Sequence, residues 1–147
     1  MRILSSRNLQ IAAIVLFLAT SISNAQKLKV YISVDMEGIT GVVSADQTGA
    51  GPDYGMARKW MADDVNAAIM GALDAGATEI VVNDSHGDMR NILPSDLNSN
   101  AALISGSPKP FGMMQGIDAS FDAVMFIGYH AKAGTVDAVL DHTISGA

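Results

Sequence analysis

Five side chains in this sequence have the types and settings for metal chemistry. Asp35 and Glu37 lie in the run Asp35-Met36-Glu37-Gly38, His86 in Asn83-Asp84-Ser85-His86-Gly87, His130 in Gly128-Tyr129-His130, and His142 follows Asp141. Each has an ordinary explanation. An acidic pair after a strand is often a solvated loop or a helix cap. A histidine in a turn can bond its own backbone, one behind a buried strand can be a satisfied structural residue, and one beside an aspartate can form a surface ion pair of little worth. Taken together they are carboxylates and imidazoles, and the chain has no cysteine to add a thiolate. That donor set suits zinc, manganese or non-haem iron and argues against calcium or a structural zinc ribbon. A carboxylate such as Asp35 can bridge two cations, with Glu37 and the histidines completing the shells. Two metals about 4 Å apart can hold a hydroxide and polarise a carbonyl. His142 is then free to shuttle protons or to attack the substrate.

These residues act together only if the fold brings them together, and the patterning supplies a reason. Lys27 to Val34 (KLKVYISV), Glu79 to Val82 and Ala123 to Ile127 (AVMFI) are short apolar, β-branched runs that predict buried strands, with Ala101 to Ile104 as a weaker third in chain order. Between the first two, Ala57, Met61, Val65, Ile69 and Leu73 recur every four residues and predict a helix over Tyr54 to Ala75. Asp53 is placed to cap its start, and Gly76 to end it in a left-handed turn. Short helical pieces are expected around Ser95 to Leu97 and Phe111 to Ile117, the second after a loop marked by Pro108 and Pro110. Strands apolar on both faces and spaced by helices indicate an α/β three-layer sandwich with a mostly parallel sheet. Ligands of such sheets bind beyond the carboxyl ends of the strands. Asp35 and Glu37, His86, and His130 with His142 follow the first, second and last strands, so one sheet edge receives them all. A bend after Val34, permitted by Gly38, turns both carboxylates to that edge.

The bulk properties narrow the partners. With 147 residues, about half of them apolar, the chain can form one domain with a substantial core. The net charge of -6 shows no basic patch, which argues against nucleic acid and against an anionic membrane surface. At the N-terminus Arg2 and Arg7 precede the apolar run Ile11 to Ala19, and Ser23-Asn24-Ala25 offers a small-x-small cleavage site. Residues 1–25 therefore read as a signal peptide, too short in its apolar run for a membrane span, and the mature protein is expected to be secreted or periplasmic.

Several runs carry a resemblance. Ser33-Val34-Asp35-Met36-Glu37-Gly38, Val82-Asn83-Asp84-Ser85-His86, Gly106-Ser107-Pro108-Lys109-Pro110, Gly128-Tyr129-His130-Ala131 and Asp141-His142-Thr143 occur in an order and at spacings that resemble the M55 peptidase family of D-aminopeptidases. The helical stretch Met61 to Ala68 is similar too. The resemblance runs from Lys27 to Gly146 and implies a zinc-dependent aminopeptidase acting on short peptides with N-terminal D-amino acids. It implies a two-zinc site with Asp35 bridging and Glu37, His86 and His130 as further metal ligands, and His142 in the position of the catalytic histidine. It also implies a ring-shaped homo-oligomer that encloses its active sites. The family carries one more metal-ligating glutamate beyond the His142 motif, and the sequence reaches Ala147 before any such residue. Residues 26–147 are accordingly expected to be the N-terminal part of a longer, truncated peptidase domain. The alternatives are another metal-dependent amide or ester hydrolase, or a non-catalytic periplasmic peptide- or metal-binding fragment.

Overall fold

A computed structural model of the chain describes residues 27–49 and 51–143, so the expected signal peptide over 1–25 lies outside the described residues. Four strands, β1 (Leu28–Val34), β2 (Ala77–Asp84), β3 (Ala101–Ile104) and β4 (Ala123–Ile127), form one sheet. Their order is β3-β2-β1-β4 and every pairing is parallel. One long helix, α1 (Tyr54–Asp74), connects β1 to β2. The architecture is the α/β arrangement expected, and β1, the first strand in the chain, lies inside the sheet.

The helix forms where its four-residue apolar spacing predicts. Ala57, Met61, Val65 and Ile69 are buried, and they share one core cluster with Val30, Ile32 and Val34 of β1 and Ile80 and Val82 of β2. Burying a side chain of this kind is worth roughly 1.5–3 kcal/mol, so this face rather than intrinsic propensity holds the helix. Gly76 ends it as expected, at φ 95° with its N–H on the Leu73 carbonyl at 2.9 Å. Asp53 stands at the start, but its side chain makes no capping bond.

The other face of β1 presents Tyr31 and Ser33. Tyr31 donates its hydroxyl to the Gln115 carbonyl at 2.8 Å and meets the Phe121 ring edge-on at 5.3 Å. The segment bearing these residues flanks the sheet opposite α1. The short helix expected over Phe111 to Ile117 contracts to a single 3-10 turn, Gly112–Met114. Gly112 and Gly116 adopt φ 51° and 89°, which no α-helix continues. Ser95 to Leu97 is a turn rather than a helix. β2 runs longer than its apolar stretch because Asn83 and Asp84 stay in register with Ser33 and Val34. Between β1 and α1 the loop holds another 3-10 turn, Ala45–Gln47, closed by a reciprocal capping box between Ser44 and Gln47.

This strand order sets the place for a site. The chain proceeds from β1 outward through β2 to β3, then returns across the sheet to β4 on the other side of β1. The turns leaving β1 and β4 lie side by side where the strand order reverses, and a crevice opens beyond the carboxyl ends of the strands. Backbone contacts hold its two lips close. Gly38 donates its N–H to the Gly128 carbonyl at 2.7 Å, and Asp35 donates its own to Ile127 at 2.9 Å. A Cβ on Gly38 would run into the Tyr129 carbonyl oxygen, and one on Gly128 into that of Asp35. Gly38 thus serves close approach of two loops more than the bend itself.

Candidate metal centre

Just past β1 the chain turns, with the Ile39 N–H on the Met36 carbonyl at 3.1 Å. Met36 enters the core, fully buried, while Asp35 and Glu37 on either side of it line the crevice. Both carboxylates are nearly buried. The His86 imidazole, from the loop after β2, places Nδ1 3.2 Å from Asp35 Oδ1 and 3.1 Å from Glu37 Oε2. His130, after β4, brings Nε2 to 3.6 Å from Asp35 Oδ2. His142 brings Nε2 to 3.8 Å from Glu37 Oε1, and its ring stacks on that of His130 with centroids 3.5 Å apart. All five residues singled out from the sequence meet in one place.

Each imidazole has its far nitrogen on a backbone carbonyl. His86 Nε2 is 2.6 Å from the Thr48 oxygen, His130 Nδ1 is 2.8 Å from that of Ala131, and His142 Nδ1 is 2.7 Å from that of Leu140. A carbonyl only accepts, so in every ring the far nitrogen carries a proton, and the near nitrogen is the one available to a cation beside the carboxylates. Lone pairs facing carboxylate oxygens repel unless a cation lies between them. This outer-shell pattern is the one that orients histidine ligands in metal sites. Two groups of donor atoms, Asp35, Glu37 and His86 on one side and Glu37, His130 and His142 on the other, each lie within 4.8 Å of one another. Glu37 is common to both. The donor set fits zinc, which takes carboxylate oxygen and imidazole nitrogen at about 2.0–2.2 Å.

Without a metal, protons take over the work of cations. Burial pushes the His86 pKa down, but the hydrogen bonds its Nδ1 donates to Asp35 and Glu37 outweigh it and raise it to about 10. Burial likewise works to raise Glu37, but the hydrogen bond and charge of His86 prevail and hold it at about 2. Asp35 moves the other way: burial raises its pKa, only partly opposed by the bond to His86. One carboxylate is held ionised, and the cluster binds positive charge.

A cavity of about 790 Å3 opens on these residues, with Met89, Phe111, Met113, Met114 and Phe126 as its apolar wall. That volume is in the usual range for small-ligand pockets. Beneath it lies a polar knot that the sequence did not announce. Ser33 Oγ is 2.8 Å from Ser85 Oγ, 2.6 Å from the Tyr129 hydroxyl and 2.6 Å from the Met113 carbonyl. Lys109 donates from Nζ to Asn83 Oδ1 at 2.8 Å, the Asp84 carbonyl at 2.6 Å and the Ile104 carbonyl at 3.1 Å, stapling the loop after β3 to the ends of β2 and β3. Asp141 accepts from the Gly134 N–H at 2.6 Å and so closes the loop between His130 and His142.

A parallel α/β sheet with carboxylates and imidazoles gathered at its switch point defines the class, that of α/β proteins with a candidate metal centre at the carboxyl ends of the strands. A family model described as Peptidase M55, D-aminopeptidase, matches residues 28–147, and the chain belongs to that family. The D-aminopeptidase of Bacillus subtilis (strain 168) is 42% identical over 118 residues, covering 80% of this chain and 43% of its own length. A solved structure described as Zn-dependent D-aminopeptidase DppA from Bacillus subtilis, a self-compartmentalizing protease, superposes with a TM-score of 0.77 at 41% identity over the same shares. The chain thus spans 43% of the length of these relatives.

Proposed function

We propose that this chain carries the metal-binding part of a zinc-dependent aminopeptidase that hydrolyses short peptides with N-terminal D-amino acids at a dinuclear site. The observation that carries this reading is the orientation of three histidines, each held from behind by a carbonyl and aimed at Asp35 or Glu37. Family membership and the Zn-dependent relative supply the reaction and the metal. Asp35, Glu37, His86 and His130 hold zinc, with Asp35 reaching both His86 and His130 and so suited to bridge. Zinc, when bound, supplies Lewis acidity toward the peptide carbonyl and toward water. The apolar wall of Phe111, Met113 and Phe126 excludes water and seats the peptide against the carboxylates. His142 is the most open of the five, its side chain 33% exposed, and it is the residue placed to carry a proton between the site and the leaving amine.

Outside the site, the reading includes export by the leader over 1–25 and assembly into a homo-oligomer. The self-compartmentalizing relative supports the second. The test is zinc content together with hydrolysis of D-Ala-D-Ala and L-Ala-L-Ala. Asp35→Ala is expected to abolish zinc loading, and His142→Ala to keep zinc and lose kcat. Loss of zinc from His142→Ala makes that histidine a ligand, a role its contact with Glu37 also allows. Activity indifferent to chelator overturns the metal reading altogether.

A further inference from the structure

His86 leaves β2 on a loop whose backbone is unusual, with Gly87 at φ 54° and Met89 at φ 62°. Such a loop has no ladder to hold it, yet it carries an imidazole that must be placed to a few tenths of an ångström. Two buried polar residues close it. Asp84, fully buried at the end of β2, accepts the Asn91 N–H at 2.6 Å and the Ile92 N–H at 2.8 Å on Oδ2, and the Asn91 side-chain amide at 2.8 Å on Oδ1. The second hydrogen of that amide goes to the backbone carbonyl of His86 itself at 2.6 Å. The Tyr54 hydroxyl donates to Asn91 Oδ1 at 2.6 Å and the Arg58 guanidinium to the Asn91 carbonyl at 2.6 Å, tying the loop to α1. Every polar atom of the Asn91 side chain is engaged. Neither Asp84 nor Asn91 lines the cavity that faces the carboxylates.

We infer that Asp84 and Asn91 are positioning residues that fix the His86 imidazole for metal binding; this rests on the zinc site proposed above. A buried carboxylate and amide are costly devices for closing a loop, since each must find all its partners. An apolar pair would fill the space without that cost. The polar pair does what an apolar pair does not: it bonds the carbonyl of the ligand residue. The Thr48 carbonyl holds the far edge of the same ring. His86 is thereby fixed at both ends, backbone and Nε2, leaving Nδ1 aimed at Asp35 and Glu37.

The test compares the full chain with Asn91→Ala, Tyr54→Phe and Ile69→Val, the last a core change on α1 remote from the loop. Zinc affinity is read by chelator competition, folding by circular dichroism, and the His86 Nε2 proton by NMR of the metal-free protein. Asn91→Ala is expected to weaken zinc by about 10–100-fold, and to lose the protected Nε2 proton signal. Tyr54→Phe, which leaves the amide in place without its orienting donor, is expected to shift both readouts the same way by a smaller factor. If Asn91→Ala does not fold, Tyr54→Phe decides. Zinc affinity and the Nε2 signal both unchanged in the folded variants overturn the inference, as does an equal loss of affinity in Ile69→Val. If the unmodified chain binds no zinc while Asn91→Ala still releases the His86 ring, the positioning stands and the zinc reading fails.

Discussion

His86 is where pH acts most directly on this site. Its pKa rises from the ordinary 6.5 to about 10, because the hydrogen bonds it donates to Asp35 and Glu37 outweigh burial. A raised pKa in the folded state means the metal-free protein draws stability from protonated His86 in full below about pH 6.5, and loses it as pH climbs through about 10. Zinc must displace that proton. The affinity for the ion that His86 holds is therefore expected to rise about tenfold per pH unit through the neutral range, with about one proton released from His86 as that ion binds. Isothermal titration in two buffers of different ionisation heat counts the protons; a flat pH dependence with no release removes His86 from the ligand set. On the acid side Glu37, held at about 2, contributes stability above about 4.5 that fades as pH falls toward 2. Asp35, raised by burial, opposes that loss, so the alkaline limb is the clearer measurement. At this scale the sequence was highly legible. Carboxylates and imidazoles directly after apolar strands marked Asp35, Glu37, His86 and His130, and the loop beyond the last strand marked His142. Thr48 was not legible, because it acts through a backbone carbonyl that any residue would provide. Asn91 was not, because an asparagine in a loop becomes a clamp only when the fold sets Asp84 beside it.

At the scale of elements, the lips of the crevice depend on two glycines. Gly38 and Gly128 let the turns after β1 and β4 touch through their backbones, and the obstacles to a Cβ there include backbone atoms of the facing turn. Gly38→Ala is expected to force these turns apart and to cost about 1–3 kcal/mol, the range for overpacking a tight contact. Separation also draws His130 away from Asp35, so zinc affinity should fall together with the thermal midpoint. Urea denaturation and chelator competition on the same sample check both, and an alanine variant as stable and as tight as the parent sinks this account. The elements were legible wherever a period was long enough to read. The helix period over Tyr54–Asp74 and the apolar runs of β1, β2 and β4 were direct signals, whereas the extension of β2 through Asn83 and Asp84 was hidden by polar side chains that find partners only in the fold. The helix expected over Phe111 to Ile117 shortens to the turn Gly112–Met114 because Gly112 within it and Gly116 beyond it are left-handed.

Across the whole molecule, the site gathers side chains from loops that lie far apart in the chain. Asp35 and Glu37 follow β1, His86 follows β2, and His130 and His142 lie beyond β4, so a bound cation would link loops from near both ends of the described chain. The sequence bears a net charge of -6, and within the crevice the carboxylates concentrate negative charge that a dication neutralises. In the proposed site zinc meets the folded arrangement and finds no such cluster in the unfolded chain, so its binding stabilises by mass action. At a free concentration a hundredfold above Kd the gain is about 2.7 kcal/mol, which for a domain of this size corresponds to a rise of roughly 10 °C in Tm. Excess zinc is expected to raise Tm by about that amount, a chelator to reverse it, and Asp35→Ala to be indifferent to both, since its carboxylate reaches His86 and His130 alike. The same titration on Ile69→Val, with a weakened core and an intact site, should show a lower starting Tm and an undiminished rise. Were Asp35→Ala to gain as much from zinc as the parent, the ion would be binding elsewhere on the acidic surface and the convergence of the three loops would not be its site.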